Sequence, residues 1–290
     1  MNDRKQLVIA KAHQLFIEKG FQATSIQDIL DYSGISKGTF YNYFSSKNEL
    51  LIAIFHSVYK KMEKERNELL IGQDRANIEI FIKQIVLQLR SNRTNKLINL
   101  FEEVIFIPDE ELKEFIKRGH LKMLQWLYER FIDIFGENKK PYLFDCAIMF
   151  KGLLNENLKH HTFAQRSLES ITQVVRYSVE RLINMVNEVS EKGEQLFPPE
   201  LLEQWFPEGA AHHHKSQYEI TQTIALLKDE LVNHEDQTKY KALLDFIQNE
   251  TLYAKEPRHF LVESAFLSLK TAKPQSKAWT ENLQKLEELV

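Results

Sequence analysis

Apolar residues recur at helical spacing from the start of the chain. Val8, Ala12, Leu15 and Phe16 share one face, which predicts a first helix over about Asp3 to Lys19. Gly20 follows it as a C-terminal cap would. Ser25, with Asp28 three residues on, reads as an N-cap with an acidic partner in the first turn. Ile26, Ile29 and Leu30 then make the buried stripe of a short second helix that ends near Ser33. Gly34-Ile35-Ser36 reads as a tight turn, with Ser36 placed to cap a third helix, Lys37 to Tyr43. Ser46 to Glu49 reads as a capping box opening a longer fourth helix, with Leu50, Leu51, Ile54, Phe55, Val58 and Met62 on its apolar face.

Beyond Gly72 the pattern predicts helices at roughly 75–90, 94–106, 109–135, 142–160 and 166–189, broken at Pro108, Gly136 and Pro141. Residues 191–216 hold Gly193, Pro198, Pro199, Pro207 and Gly209 and read as a linker. Four short amphipathic stretches follow: Ile220/Ile224/Leu227/Leu231, Tyr240/Leu243/Leu244/Ile247, Val262/Phe266/Leu269 and Trp279/Leu283/Leu286/Val290. Helices this short are marginal alone, so their apolar faces need a partner surface. The helical body of residues 75–189, of the same chain or of a dimer mate, is expected to supply it. The fold class is all-α: a helix-turn-helix domain over 1–46, a helical body over 47–190, the linker, and an appendage over 217–290.

Composition narrows the function. Hydrophobic residues are 43% and charged residues 27% of 290, as in an ordinary globular protein. A net charge of −3 confines any DNA contact to one local site. The appendage, with nine Lys/Arg against twelve Asp/Glu, is a poor second DNA arm. A single cysteine, Cys146, excludes an internal disulfide framework and fits a reducing cytoplasm. The first residues lead into an amphipathic pattern, not an apolar signal core, and no run of about 18 apolar residues suggests a membrane span. A cytoplasmic location is therefore expected.

The stretch GISKGTFYNYFSSK at 34–47 carries the chemistry. On a helical wheel Phe40 and Phe44 face inward, Gly38 and Asn42 lie nearly opposite, and Thr39 and Tyr41 flank that outer face. Glycine there lets another surface come close. A short helix, a tight turn and such a helix form a helix-turn-helix, whose second helix enters the major groove. Asn42 can pair bidentately with adenine, and Thr39 can meet a thymine methyl. Lys37, Tyr41, Tyr43 and Lys47 suit phosphate oxygens, and Ser25 at a helix start suits another. The run AHQLFIEKGFQATSIQDILDYSGISKGTFYNYFSSKNELL resembles the N-terminal domain of the TetR family of bacterial transcriptional repressors, strongly over residues 5–55. The resemblance implies operator contacts from Ser25, Ser36, Lys37, Gly38, Thr39, Tyr41, Asn42, Tyr43 and Lys47. Asn42 stands where members vary. A homodimer on palindromic double-stranded DNA, released by a small effector, is also implied, with efflux or stress genes as targets.

The last helix of the body carries a broad seam, with Leu168, Val175, Leu182 and Val186 along it and Ile148 on the helix before. These are the expected dimer interface. The middle of the chain is aromatic, and Phe101, Phe106, Trp126 and Phe150 are expected to line an effector pocket, with Glu102 turned inward toward a cationic group. A plain aromatic core with both Glu102 and Glu103 solvated is the alternative. His212-His213-His214 and His160-His161 lack the partners a metal needs. No nucleophile with its base and no phosphate loop stands out, so neither an enzyme nor a cofactor is expected. The other reading is a DNA-bound interaction protein that docks a protein partner through residues 217–290.

Overall fold

A computed structural model of the chain describes residues 3–105, 107–163, 170–205, 213–232, 234–254, 257–271 and 276–290. Among the described residues the only regular secondary structure is helix. The first four helices are α1 Asp3–Lys19, α2 Ile26–Ser33, α3 Lys37–Tyr43 and α4 Lys47–Glu68. Ser25 caps α2: its hydroxyl accepts from the N–H of Asp28, and Asp28 accepts from the N–H of Ser25 at 2.9 Å. The Ser25 hydroxyl and Lys19 hold the Asp28 carboxyl well below the usual range. Gly34 ends α2 at φ 67, a left-handed conformation that glycine adopts without steric cost. Ser36 then caps α3 by accepting from the N–H of Thr39 at 3.1 Å. At the start of α4, Ser46 accepts from the N–H of Glu49, whose carboxylate takes the N–H of Ser45.

The body continues with α5 Ile78–Thr94, α6 Leu97–Val104, α7 Glu110–Phe135, a short 3-10 turn Glu137–Lys139, α8 Lys140–Phe163 and α9 Ser170–Lys192. Pro108 and Gly136 lie at breaks between helices. Pro141 does not: it sits in the first turn of α8, where its missing N–H has no intrahelical partner to lose. α10, Glu200–Trp205, falls inside the segment read as a linker.

The chain divides into two compact units, residues 1–66 with 78–198, and residues 67–77 with 199–290. In the first, Phe16, Ile29, Phe40 and Phe44 form one core with Leu50, Leu51 and Phe55 of α4. Leu97, Leu100 and Val104 of α6 and Leu112 of α7 are buried in that same core. The N-terminal helices therefore do not close on themselves; α6 completes their hydrophobic interior.

The second unit holds α11 His213–Glu230, α12 Gln237–Tyr253, α13 His259–Lys270 and α14 Lys277–Leu289. Their apolar faces meet each other in a core of Ile220, Ile224, Leu227, Leu231, Tyr240, Leu244, Ile247, Val262, Phe266, Leu269, Trp279, Leu283 and Leu286. The partner surface that such short helices need is supplied within the unit itself. Residues 67–77 join it: Tyr218 and Gln222 of α11 each donate to the carbonyl of Leu70 at 3.4 Å, and Arg75 lies 4.2 Å over the Tyr218 ring. No helix among the described residues is long and apolar enough to cross a membrane.

Candidate DNA interface

α3 presents the arrangement its wheel predicts. Phe40 and Phe44 are buried, while Lys37, Gly38, Tyr41 and Asn42 are exposed and Thr39 and Tyr43 half-buried. Ser25 and Ser36, the caps of α2 and α3, are exposed as well. The Ser36 and Thr39 hydroxyls share a hydrogen bond of 2.9 Å, which fixes both at the start of α3. A Cβ built on Gly38 would meet only Ser36 Oγ, at 3.9 Å. The chain's own packing therefore leaves open the space that this glycine leaves empty.

Lys47, expected to contact phosphate, has partners within the chain itself. Its ammonium donates to the carbonyls of Phe21 and Thr24, both at 2.9 Å, and lies 4.3 Å over the Phe21 ring. Burial holds its pKa below the ordinary lysine value, with nearby Glu103 opposing that shift. Two carbonyls at a helix-connecting turn outcompete solvent for a half-buried cation, so Lys47 ties the α1–α2 turn to the start of α4.

The same turn is gripped from α6. Glu103 accepts from the N–H of Gln22 at 3.0 Å, and the Gln22 side chain donates to the Glu103 carbonyl at 3.3 Å. Gly20 stands at φ +87, and a Cβ there would lie 3.1 Å from Glu103 Oε1. Nearby, Lys96 donates to the Ile17 carbonyl at 3.0 Å, and His13 Nε2 lies 3.3 Å from the Asn95 carbonyl. Asn48 of α4 donates to Asp109, the N-cap of α7, at 2.7 Å. Residues 95–109 thus hold α1, the following turn and α4 together. These contacts join positions 61 to 82 residues apart, and no local sequence signal reports them.

The expected effector residues do not converge on one cavity. Phe101 stacks on Phe55 at 4.4 Å between ring centroids, in the N-terminal core. Trp126 and Phe150 instead pack against Phe81. Glu102 is exposed, not turned inward, and Phe106 lies outside the described residues. Beside Trp126 the interior is polar, which spacing alone did not signal. Arg130 donates to Gln84 at 3.0 Å and to Asp133 at 2.7 Å; Gln84 donates to the Arg66 carbonyl at 2.9 Å; Arg66 lies 3.9 Å over the Trp126 ring.

The dimer seam also needs correcting. Val175, Leu182 and Val186 are fully buried within their own unit, where α9 packs on α8 and α5, so they have no surface left for a second chain. Leu168 lies outside the described residues, and Ile148 is half-buried. Among the described large apolar side chains of α8 and α9, Met149 is 39% exposed and Tyr177 53% exposed. Among the described residues no group of His, Cys, Asp and Glu could hold a metal ion; His212 lies outside them.

Comparison with known proteins bears on the N-terminal helices first. The family described as bacterial regulatory proteins, tetR family, matches residues 8–54. The chain is 30% identical over 196 residues to the uncharacterized HTH-type transcriptional regulator YerO of Bacillus subtilis, covering 66% of this chain and 67% of YerO. It is 25% identical over 199 residues to the uncharacterized HTH-type transcriptional regulator YuxN of the same organism, covering 68% of each. It is 28% identical over 138 residues to the dhaKLM operon transcriptional activator DhaS of Lactococcus lactis, covering 47% of this chain and 63% of DhaS. No solved structure matches the chain.

Proposed function

This chain belongs to the tetR family of bacterial regulatory proteins, and we propose that it is a repressor that grips a palindromic operator as a homodimer and releases it when a small, largely apolar effector binds. It is a helix-turn-helix transcriptional regulator; the repressor role, dimer and effector are the proposed part. The observation that carries the reading is the outer face of α3, where Gly38, Tyr41 and Asn42 are exposed above a fully buried Phe40. A rigid helix with a bare glycine and a forward amide suits close approach to a major groove. Two-fold symmetry of the protein would match two half-sites of the operator.

Release follows from the shared core. Because α6 completes the interior of the N-terminal helices, an effector that moves α6 also moves the α1–α2 turn through Glu103 and Gln22. Effector binding then favours a spacing of recognition helices that the operator does not fit. The direct test is selection of bound DNA from a random pool, followed by transcription from a promoter carrying the selected site. Repression through a palindrome supports the proposal; activation, as the name of DhaS states for that protein, or failure to enrich any sequence, overturns it.

One observation favours the partner-docking reading. The second unit has its own core, yet Phe260 and Leu267, one face of α13, are 67% and 66% exposed. Operator release by a small molecule in purified protein separates the two.

A further inference from the structure

Beside the end of α6 an open groove of about 290 Å³ runs along α7, lined by Ile105, Lys113, Ile116, Lys117, His120 and Leu121. The α7 residues fall at helical spacing, so they form one face of that helix. The face is amphipathic in an uncommon sense. Ile116 and Leu121 supply an apolar floor together with Ile105, itself 58% exposed, while Lys113 and Lys117 edge it with cations and His120 adds an imidazole. Lys151 of α8 adds to them: after burial, its charge is what keeps the His120 imidazole below its ordinary pKa.

We propose that this groove binds an amphipathic anion, a medium-chain carboxylate with its alkyl chain on Ile105, Ile116 and Leu121 and its head group among Lys113, Lys117 and His120. Charge complementarity selects that class. A neutral hydrocarbon would bring no charge to meet the two lysines, and a cation would face repulsion. The existing pairs do not block the site. Lys113 meets Glu110 at 2.7 Å and Lys117 meets Glu114 at 4.0 Å, but both lysines are largely exposed, and exposed pairs of this kind contribute little. The groove is at the small end of ligand sites, which favours a free carboxylate over a bulky conjugate. Its position gives binding a consequence. Ile105 lies two residues after Glu103, which holds Gln22, and Asp109, the N-cap of α7, holds Asn48. The inference rests on the effector-released reading above, and it names the chemistry of that effector.

Calorimetry of the full chain, without DNA, tests it with dodecanoate, dodecanol and dodecyltrimethylammonium as probes. Omitting DNA keeps a failure here distinct from a failure of operator binding. The expected result is saturable dodecanoate binding, with both other probes weaker by about tenfold, the worth of one charge-assisted contact. Lys113→Glu with Lys117→Glu should weaken dodecanoate by at least about tenfold and leave dodecanol unchanged. Both positions are exposed, and an unchanged thermal melt verifies the fold of the variant. Equal binding of dodecanol, unchanged affinity in the charge-reversed variant, or no saturable binding overturns the proposal. So does self-association that the double variant abolishes, since that assigns the groove to a second copy.

Discussion

Gln22 after α1 donates twice to Glu103 on α6, 81 residues away in sequence: its backbone N–H to the carboxylate and its side-chain amide to the backbone carbonyl. Gly20 sits directly beneath that carboxylate. The turn therefore has its glycine for two reasons: a left-handed backbone and an oxygen where a Cβ would need room.

Gly20→Ala should cost about 1–3 kcal/mol, from strain at positive φ and from crowding. Glu103→Ala should cost about 1 kcal/mol for the lost bond to Gln22, which is partly solvated. Combined, the two should cost less than their sum by at least about 0.5 kcal/mol, because removing the carboxylate leaves space for the new methyl. Denaturant melts of the four proteins measure the coupling. Strict additivity would show that Glu103 does not press on Gly20.

Gly38 makes the opposite case. A Cβ there meets nothing closer than 3.9 Å in the chain itself. Gly38→Ala should raise stability by up to about 1 kcal/mol, since alanine is the better helix former. If α3 lies in a major groove, the same methyl should weaken binding to the selected operator by about tenfold. A variant that is more stable and binds DNA as tightly as the parent would remove α3 from the interface.

Lys37 and Lys47 separate phosphate contact from structure. Lys37→Ala should reduce the slope of log affinity against log salt by about one. Lys47→Ala should leave that slope unchanged and lower the melting temperature, because the Phe21 and Thr24 carbonyls lose their donor. A reduced slope in the Lys47 variant would restore its phosphate role.

The N-terminal helices were legible because their signals are local. Ser25 with Asp28, Gly34 and Ser36 punctuate the chain within four residues of what they cap. The burial of Phe40 and Phe44 followed from helical spacing alone. Lys47 has a type and place that suit a phosphate, but its partners within the chain, two backbone carbonyls more than twenty residues upstream, carry no local signal. Val175, Leu182 and Val186 misled for a related reason: a broad apolar seam states that a face is buried, not which chain buries it. Phe101 and Trp126 looked alike in sequence, yet one stacks in the N-terminal core and the other beneath Arg66. The appendage's four stripes were readable, and that they would pack on each other was not.

In the proposed homodimer, the outward faces of α8 and α9 are the surface offered to a second chain. Tyr177→Asp, at an exposed position, should leave the melt of dilute protein nearly unchanged and shift sedimentation toward monomer. Val175→Asp should instead unfold the protein, since it buries an unpaired carboxylate at a cost of several kcal/mol. A parent protein that sediments as a monomer at micromolar concentration refutes the dimer. A Tyr177 variant that remains dimeric moves the interface elsewhere.

Acid should loosen the second unit through Glu250. Its carboxylate accepts from the Arg258 backbone N–H, from Nε at 3.1 Å and from Nη2 at 2.5 Å, pinning the start of α13 to α12. Those bonds, the side-chain ones foremost, depress its pKa from about 4.5 to about 2. A depressed folded pKa means stability that is complete above the unfolded value and lost as pH falls from about 4.5 toward 2. Trp279, buried in this core, reports on it once Trp126 and Trp205 are replaced by Phe. In that background the melting temperature read from Trp279 should fall between pH 5 and pH 3. Glu250→Gln should melt lower at pH 7 and fall less over the same interval. An equal fall in both proteins would show that Glu250 is not what acid disarms.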